Sequence, residues 1–454
     1  MSEVDRIKEI MPEIDAISPT FCLAKWHHVT IYLQTGETHS CYHPAPHKIP
    51  LEGLSSNPSQ LHNTPQKKQE RKQMLAGEKP NGCQYCWNIE CMGKDYVSDR
   101  HIKTASIHTP ERIEEIKSNP WDYNINPEYI EVNFSNECNF KCGYCHPKFS
   151  SRYFNEIKKH GPYSNSTAHR NDIDYFELFE EDSNPYVEAW WNWWPDVSKT
   201  LNILRVTGGE PLMHKSTWRL FEELKQNPKP HLNIELNSNM GVKPALVEKL
   251  TQKVKELREA NCIASFKLYT SIDTWGERAE YTRTGLDIKL WESNLDYYLS
   301  NTPWPVTFMV TYNLFAVTSF KMLLEKILEW RKKYNNDNQS KWQRIRFDTP
   351  YLTEPIQFDM NILPKDFAVH LESQLEYIKS NLDNADRNKF SDLEYERLRR
   401  VVDYFKNTEY DVKKLTNGRK NFYTWFSEYD KRRNTSLVKT FPELEQFYKT
   451  CSLL

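Results

Sequence analysis

Six short stretches of apolar and β-branched residues recur along the middle of the chain, and segments with helical spacing separate most of them. The apolar stretches are Tyr129–Phe134, Ile203–Thr207, Leu232–Leu236, Lys267–Ile272, Val306–Thr311 and Arg344–Phe347. Apolar residues at helical spacing lie between them, in Trp218–Lys225, Ala245–Glu259 and Phe320–Lys333. Strands that alternate with helices predict a parallel sheet wound with right-handed crossovers. The pattern therefore predicts an α/β core of six βα units over residues 127–354.

The pattern changes on both sides of this core. On its N-terminal side, His28–Leu33 alternates like a strand and Thr35-Gly36-Glu37 is typical of a turn, which predicts a hairpin ending near Cys41. Beyond Pro355, apolar residues at i, i+3 and i+4 predict amphipathic helices. We thus predict a small hairpin-based N-terminal domain over residues 1–105, a linker over 106–126 with one short helix, and a helical C-terminal region over 355–454. The helices expected in these regions are Gln66–Leu75, Glu111–Lys117, Lys365–Asn381, Ser391–Phe405 and Phe422–Arg432.

A long insertion near residues 146–201 interrupts the core after its first strand. It contains the run Ala189–Pro195, in which four of five consecutive residues are tryptophan. Tryptophans could stack on a substrate, but a helix that packs large rings onto the sheet is the more common use of such a run. No basic stripe accompanies the rings, which argues against binding of single-stranded nucleic acid.

Charge and composition narrow the class of protein. The 454 residues carry 60 basic and 62 acidic side chains, a net charge of −2, so nothing demands a polyanionic partner. The sequence begins MSEVDRIKEI, without an apolar signal region, and lacks a run of about 18 apolar residues. We therefore expect a cytoplasmic protein that does not enter a membrane.

The cysteines carry the strongest chemical signal. Eight of the ten cysteines precede residue 146, which in a reducing compartment indicates metal or redox chemistry more than disulfides. Cys138, Cys142 and Cys145 follow the first core strand with the spacing Cys-x3-Cys-x2-Cys. Three thiolates leave the fourth position of an iron–sulfur cluster open. A zinc site is the alternative, but it usually needs a second Cys or His pair, and His146 directly follows Cys145.

This loop resembles the cluster-binding loop of the radical S-adenosylmethionine (SAM) superfamily. The resemblance implies a partial (β/α)6 barrel of the TIM type, a [4Fe–4S] cluster on the three cysteines, and SAM bound through its amino and carboxylate groups to the exposed iron. It also implies that Tyr144 packs against the adenine. The sequence Gly208-Gly209-Glu210 follows the second strand and resembles the GGE motif of the family, which binds the amino group of SAM.

Polar residues after later strands resemble other contacts of that family. The third strand is followed by Asn239, the fourth ends near Ser271, and Arg283 lies on the next segment. By resemblance, Ser271 and Arg283 would contact the ribose or carboxylate of SAM, and Asn239 would line the cavity. Capping of helices is the alternative role for polar residues at strand ends.

A second set of thiols lies in the N-terminal region. Cys22-x13-Gly36-x4-Cys41, followed by Cys83-x2-Cys86, resembles the SPASM/twitch auxiliary domain, in its single-cluster form. The resemblance extends over Trp87, Glu90, Gly93, Ser98 and Arg100, and it implies one auxiliary [4Fe–4S] cluster held by the four cysteines. A zinc ribbon on the same four thiols is the alternative. Cys91 is left over, and we expect it to be a free buried thiol.

The resemblances together imply an enzyme that reductively cleaves SAM to a 5′-deoxyadenosyl radical, which abstracts hydrogen from a substrate. A peptide or protein is the leading substrate, and the auxiliary cluster would transfer electrons or hold the substrate. A flavodoxin or ferredoxin would donate the electron. The alternatives are a radical SAM enzyme acting on a small nucleotide or amino-acid-derived metabolite and, from another class, a zinc-ribbon binding protein without catalysis.

Overall fold

One nine-stranded sheet organises the protein. The computed structural model describes residues 3–91, 97–165, 171–334 and 343–454. The strands lie in the order β3-β2-β1-β4-β5-β6-β7-β8-β9. Strand β1 and strands β4 to β9 are parallel to their neighbours in this order. The pairs β1-β2 and β2-β3 are antiparallel. Its strands are β1 His28–Tyr32, β2 Glu37–His39, β3 His47–Lys48, β4 Tyr129–Asn133, β5 Ile203–Thr207, β6 Lys229–Ser238, β7 Ile263–Ser271, β8 Val306–Met309 and β9 Ile345–Asp348.

Helices follow the strands in the alternating order that the sequence predicts. The six predicted core strands form β4 to β9, and β3 and β9 are the two ends of the sheet, so the α/β partial barrel is confirmed. The helices are α1 Glu3–Ile17, α2 Ala24–His27, α3 Pro65–Leu75, α4 Gln84–Glu90, α5 Asp99–Ile107, α6 Pro110–Ser118, α7 Ser151–His160, α8 Pro185–Val197, α9 Lys215–Gln226, α10 Pro244–Glu259, α11 Glu277–Thr282, α12 Ile288–Asn301, α13 Ala316–Tyr334, α14 Ala368–Ser380, α15 Asp392–Asn407, α16 Val412–Arg433, α17 Leu437–Thr440 and α18 Glu445–Cys451. No helix in the described ranges is long and apolar enough to cross a membrane.

The N-terminal hairpin is part of the barrel sheet. Strand β1 pairs in parallel with β4 over five residues, from His28 opposite Tyr129 to Tyr32 opposite Asn133. The sequence predicts the hairpin but not this pairing. The same region also has an apolar core of its own, around Trp26 and Trp87. The boundaries at residues 105, 126 and 354 stay predictions.

The two faces of the sheet differ in chemistry. Residues such as Ile130, Val206 and Ile234 are buried in the core. On the other face, four half-buried charged residues lie opposite one another on adjacent strands and alternate in sign. These are Glu131, Arg205, Glu235 and Lys267, and we call them the charged row. A dry barrel core is built from branched apolar side chains, so this face borders a polar space.

The insertion and the C-terminal helices pack onto this core. In α8, Trp190, Trp193 and Trp194 are buried in the main apolar core, which confirms the structural interpretation of the tryptophan run. The C-terminal helices form near their predicted positions, and the linker helix forms as α6. Cys262 and Cys451 are buried free thiols.

Candidate functional site

The three cysteines after β4 face one cavity. Strand β4 ends at Asn133, and the loop that follows carries Cys138, Cys142 and Cys145 over the carboxyl ends of the strands. All three side chains line a cavity of about 350 Å³. In barrels of parallel strands this is the end at which active sites lie. The structure therefore brings together the three thiols that the sequence singled out.

Backbone contacts fix the shape of this loop. The amide of Lys141 donates to the carbonyl of Thr284, and the amide of Gly143 donates to the carbonyl of Thr282, each at 2.9 Å. A β-carbon at Gly143 would lie 2.8 Å from a ring carbon of Phe358, so no larger residue fits without displacing that ring. The spacing between the second and third cysteines thus depends on a glycine packed under the C-terminal region.

The two glycines after β5 lie against the same loop. Gly208 has φ +121°, and a β-carbon there would lie 2.1 Å from Oδ1 of Asn133. A β-carbon at Gly209 would lie 2.3 Å from the carbonyl oxygen of Glu137. Both glycines line the cavity. Their lack of side chains lets the backbone of this turn approach both the cysteine loop and any bound ligand.

Glu210 is placed differently from its neighbours. Its side chain is fully buried and is not among the residues that line the cavity. The carboxylate accepts hydrogen bonds from the amide of Leu212 at 3.1 Å, the hydroxyl of Ser238 at 2.8 Å and the amide of Asn239 at 2.6 Å. Burial raises the pKa of Glu210 to about 7. In this arrangement Glu210 holds the end of β6 in place, and its direct contact with SAM stays a prediction.

A buried network joins Tyr144, Asp273 and Arg283. The guanidinium of Arg283 donates to both oxygens of Asp273, at 3.0 and 2.8 Å, and the hydroxyl of Tyr144 donates to Asp273 at 2.6 Å. The amide of Thr311 donates to Asp273 at 2.9 Å. Nη1 of Arg283 also lies 3.9 Å from the sulfur of Cys142. Asp273 therefore fixes the ring of Tyr144 and the positive charge of Arg283 beside the cysteine loop.

The other polar residues at the strand ends, two of them candidates from the sequence, fall into two groups. Asn239, Ser271 and Thr311 line the cavity. The amide nitrogen of the Asn239 side chain lies 3.9 Å from the sulfur of Cys138 and donates to Asn139 at 2.8 Å. Asn313 is buried away from the cavity and caps its own turn through Phe315. The structure places Asn239 and Ser271 where a ligand could reach them.

The open site has the donors that an iron–sulfur cluster needs. Burial raises the pKa of Cys145 to about 12, and that of Cys138 well above its usual range, so these thiols ionise only when a cation stabilises them. The amide of Phe140 already donates to the sulfur of Cys138 at 3.4 Å. Three convergent thiols beside a cavity fit a cluster with one exposed iron.

The N-terminal thiols form a second, closed site. Cys22, Cys41, Cys83 and Cys86 all line one small cavity of about 20 Å³, next to Lys25 and Arg100. Burial, followed by repulsion from Cys41, raises the pKa of Cys22 to about 11. Four thiols that line one cavity are the donor set of a [4Fe–4S] cluster, and a zinc ion can use the same donors once they close around it. Among the described residues, no three His, Cys, Asp or Glu side chains are arranged as a site for a single metal ion.

Two further observations bear on the auxiliary pattern. The carboxylate of Glu90 accepts from Ser98 at 2.6 Å and from two nitrogens of Arg100 at 2.9 Å, so three residues of the pattern contact one another. Gly93 lies outside the described residues. Cys91 is exposed and does not line the cavity, so the expectation of a buried thiol is wrong. It ends α4 on the solvent side, and helical spacing puts it on a different face from Cys86.

Sequence reasoning missed several residues that shape the open site. Asp273 is the main omission, because it lies two residues after Ser271 at the same strand end and holds both Tyr144 and Arg283. Thr207 and Asn237 also line the cavity. A polar residue at the end of a buried strand was the feature that singled out Asn239 and Ser271. The same feature could have singled out Asp273, Thr207 and Asn237.

Comparisons with known proteins give partial matches. No family model matches the chain. The GTP 3′,8-cyclase of Nautilia profundicola is 27% identical over 112 residues, which is 25% of this chain and 27% of that protein. The GTP 3′,8-cyclase of Campylobacter lari is 24% identical over 150 residues, which is 33% of this chain and 36% of that protein. The chain thus spans about a third or less of the length of the curated relatives it matches.

Solved structures give distant matches. Native anSMEcpe with bound AdoMet is 15% identical with a TM-score of 0.36, over 56% of this chain and 61% of that one. Streptococcus suis SuiB bound to precursor peptide SuiA is 11% identical with a TM-score of 0.35, over 81% of this chain and 71% of that one. The similarity to the GTP 3′,8-cyclases and the three-cysteine loop at the carboxyl end of the sheet support the resemblance of this chain to the radical SAM superfamily.

Proposed function

We propose that this chain cleaves SAM reductively at the three-cysteine loop and abstracts a hydrogen atom from a peptide or protein. The observation that carries the proposal is the single cavity shared by Cys138, Cys142, Cys145 and the Gly208-Gly209 turn. Cys138, Cys142 and Cys145 would hold a [4Fe–4S] cluster, which would supply an electron from an external donor for the reductive cleavage of SAM to methionine and a 5′-deoxyadenosyl radical. Hydrogen abstraction then gives 5′-deoxyadenosine and a substrate radical.

The residues of this chain would bind and orient these groups. The three cysteines would hold three irons and leave the fourth facing the cavity. The backbone of Gly208 and Gly209 would lie beside the amino acid part of SAM, and Tyr144 and Arg283 would position its nucleoside and carboxylate.

The polar face of the sheet supports a polar substrate. Arg205 of the charged row donates to Asn237, which lines the cavity, so the row continues the cavity wall into the barrel. The hydroxyl of Tyr42 lies 3.4 Å from Glu131 of the row, and the ammonium of Lys103 lies 4.2 Å from the centre of the Tyr42 ring. Lys103 also lines the four-thiol cavity. This polar strip between the two sites fits an extended chain with amide and charged groups.

A nucleotide substrate is the second candidate. It rests on one observation, the similarity of this chain to two GTP 3′,8-cyclases, whose name states that they act on GTP. A zinc-binding protein without catalysis is the candidate from another class. It rests on the four N-terminal thiols, which would suit zinc as well as iron.

Transfer of deuterium into 5′-deoxyadenosine distinguishes these candidates. The anaerobically reconstituted chain is reduced with dithionite and incubated with SAM and either peptides from cells grown in deuterated medium or deuterated GTP. We expect 5′-deoxyadenosine to carry deuterium with the peptide pool. Label only from GTP would establish the nucleotide substrate instead. Absence of 5′-deoxyadenosine under all conditions would contradict the radical SAM reaction.

A further inference from the structure

Two buried cations line the four-thiol cavity, and two more basic side chains are buried nearby on α3. The side chains of Lys25, Lys67, Arg71 and Arg100 are between 0 and 4% exposed. Lys25 and Arg100 line the cavity directly. Burial, followed by the charges of Arg71 and Lys25, lowers the pKa of Lys67 well below its usual range, and an anionic Cys41 opposes this shift. Arg71 donates from Nε to the backbone carbonyl of Lys25 at 3.2 Å, and burial lowers the pKa of Arg71 to about 9. A buried cation is costly unless an opposite charge lies near it.

Two of these cations have carboxylate partners. The ammonium of Lys25 lies 2.5 Å from Glu70, and Arg100 binds both oxygens of Glu90 at 2.9 Å. The half-exposed Asp15 lies 3.9 Å from Arg100, where water screens it. These two pairs are close to neutral.

The other two cations have neutral partners. Lys67 donates to the carbonyl of His28 at 2.8 Å and lies 2.7 Å from Nδ1 of His62. Arg71 donates to Asn63 at 3.0 Å and lies 3.0 Å from Nε2 of His62. Burial, followed by the charge of Lys67, lowers the pKa of His62 well below its usual range, so His62 is neutral. Within the described residues, no carboxylate lies within 4.0 Å of either cation.

A metal bound by the four thiolates would bring a negative charge that matches the positive charges of Lys67 and Arg71. Four thiolates around a divalent zinc ion, or around a [4Fe–4S] core of about +2, carry a net charge of about −2. We propose that Lys67 and Arg71 are the counter-charge of the auxiliary metal site, so that their two buried positive charges strengthen metal binding there. The inference rests on metal binding by the four N-terminal thiols, which the resemblance implies, but not on which of the two metals is bound.

The test compares charge changes of opposite sign around that site. The full chain carries Cys138, Cys142 and Cys145 all replaced by alanine, so that only auxiliary metal is counted, and the EDTA concentration that removes half of the metal is measured. Lys67→Met removes a cation that has no carboxylate partner, and it should weaken metal retention by about 10–100-fold, as changes next to metal ligands do. Glu70→Gln leaves one more uncompensated cation, and it should retain the metal as well as the parent chain or better.

Two controls separate charge from packing. Lys72→Met changes an exposed lysine of the same helix and should leave metal retention unchanged. The metal-free Lys67→Met chain should be about as stable as its metal-free parent, because an apolar side chain of similar length replaces a buried basic group that has no carboxylate partner. Weaker metal retention together with a loss of metal-free stability would assign Lys67 a packing role and overturn the inference.

The remaining outcomes are also decisive. A parent chain that binds metal, with Lys67→Met retaining it equally well, would overturn the counter-charge proposal while leaving the auxiliary site intact. A parent chain with no metal at the four thiols would contradict the auxiliary site itself and the inference with it.

Discussion

The two thiol sites of this protein differ in enclosure and in charge. Cys138, Cys142 and Cys145 border a cavity of about 350 Å³ at the carboxyl ends of the strands, whereas the four N-terminal thiols enclose about 20 Å³. At the open site, the nearby cation Arg283 is neutralised by Asp273. At the closed site, the buried Lys67 and Arg71 have no carboxylate within 4.0 Å among the described residues. The open site is therefore suited to bind and release a ligand next to a metal. The closed site is suited to a metal centre with four thiolates, whose net charge would be negative.

The largest expected effect follows removal of the open site. Replacing Cys138, Cys142 and Cys145 together by alanine should abolish SAM cleavage and remove about four irons per chain, the content of one cubane cluster. The auxiliary metal should stay, because its four thiols lie in a separate cavity. Iron analysis and chromatography of 5′-deoxyadenosine measure both results. Cleavage that persisted in this variant would show that the two sites have been assigned the wrong roles.

The next largest effect concerns the closed site. Cys83→Ala should lower the metal content from two sites to one, about eight to about four irons if the site holds a [4Fe–4S] cluster. Cys91→Ala is the matched control, because Cys91 is exposed and outside the cavity. It should keep the full content. Metal analysis after anaerobic purification measures both variants, and a loss of metal in the Cys91 variant would require a different ligand set.

A smaller effect is expected from the ion pair behind the open site. Asp273→Ala leaves Arg283 buried without its partner, which should lower the free energy of unfolding by about 3–5 kcal/mol. The double change Asp273→Ala with Arg283→Met should cost less. Asp182→Ala breaks an exposed pair with Lys215 and should change stability by about 0–1 kcal/mol. Urea denaturation compares the three variants, and equal losses for the buried and exposed pairs would contradict the structural role of Asp273.

The smallest effect is a dependence of stability on pH at Glu210. Burial raises its pKa from 4.5 to about 7, so the folded chain binds a proton that the unfolded chain releases between these values. The stability from this proton is complete below pH 4.5 and is lost as the pH rises through 7, by about 3 kcal/mol. Glu210→Gln should remove this part of the slope in melting temperature against pH. An unchanged slope would mean that Glu210 is ionised in the folded chain.

The sequence predicted the strands and helices of the core because their periods are local properties of the chain. Each of β4 to β9 coincides with an apolar stretch that the pattern marked. The pairing of β1 with β4 could not be predicted in this way, because local alternation does not say which strand a given strand pairs with. The hairpin was therefore foreseen and its place in the barrel sheet was not.

The candidate site was predictable to a similar degree. Cysteine spacing indicated both thiol sets, and each set lines a single cavity. The direction of a side chain at a strand end depends on tertiary contacts, so the sequence could not show that Glu210 is buried and accepts hydrogen bonds from the end of β6. The sequence, with a net charge of −2, also could not predict that some buried cations have no carboxylate partner. Which charged side chains pair with one another depends on the fold.

Electron paramagnetic resonance tests the open-site assignment most directly. Replacing Cys22, Cys41, Cys83 and Cys86 by alanine leaves the cluster on Cys138, Cys142 and Cys145 as the one to be observed. After reduction with dithionite, SAM should change the signal of this cluster, because three thiolates leave one iron free to bind it. A spectrum that stays the same when SAM is added would contradict the assignment, because the cluster would then have no open iron in the cavity.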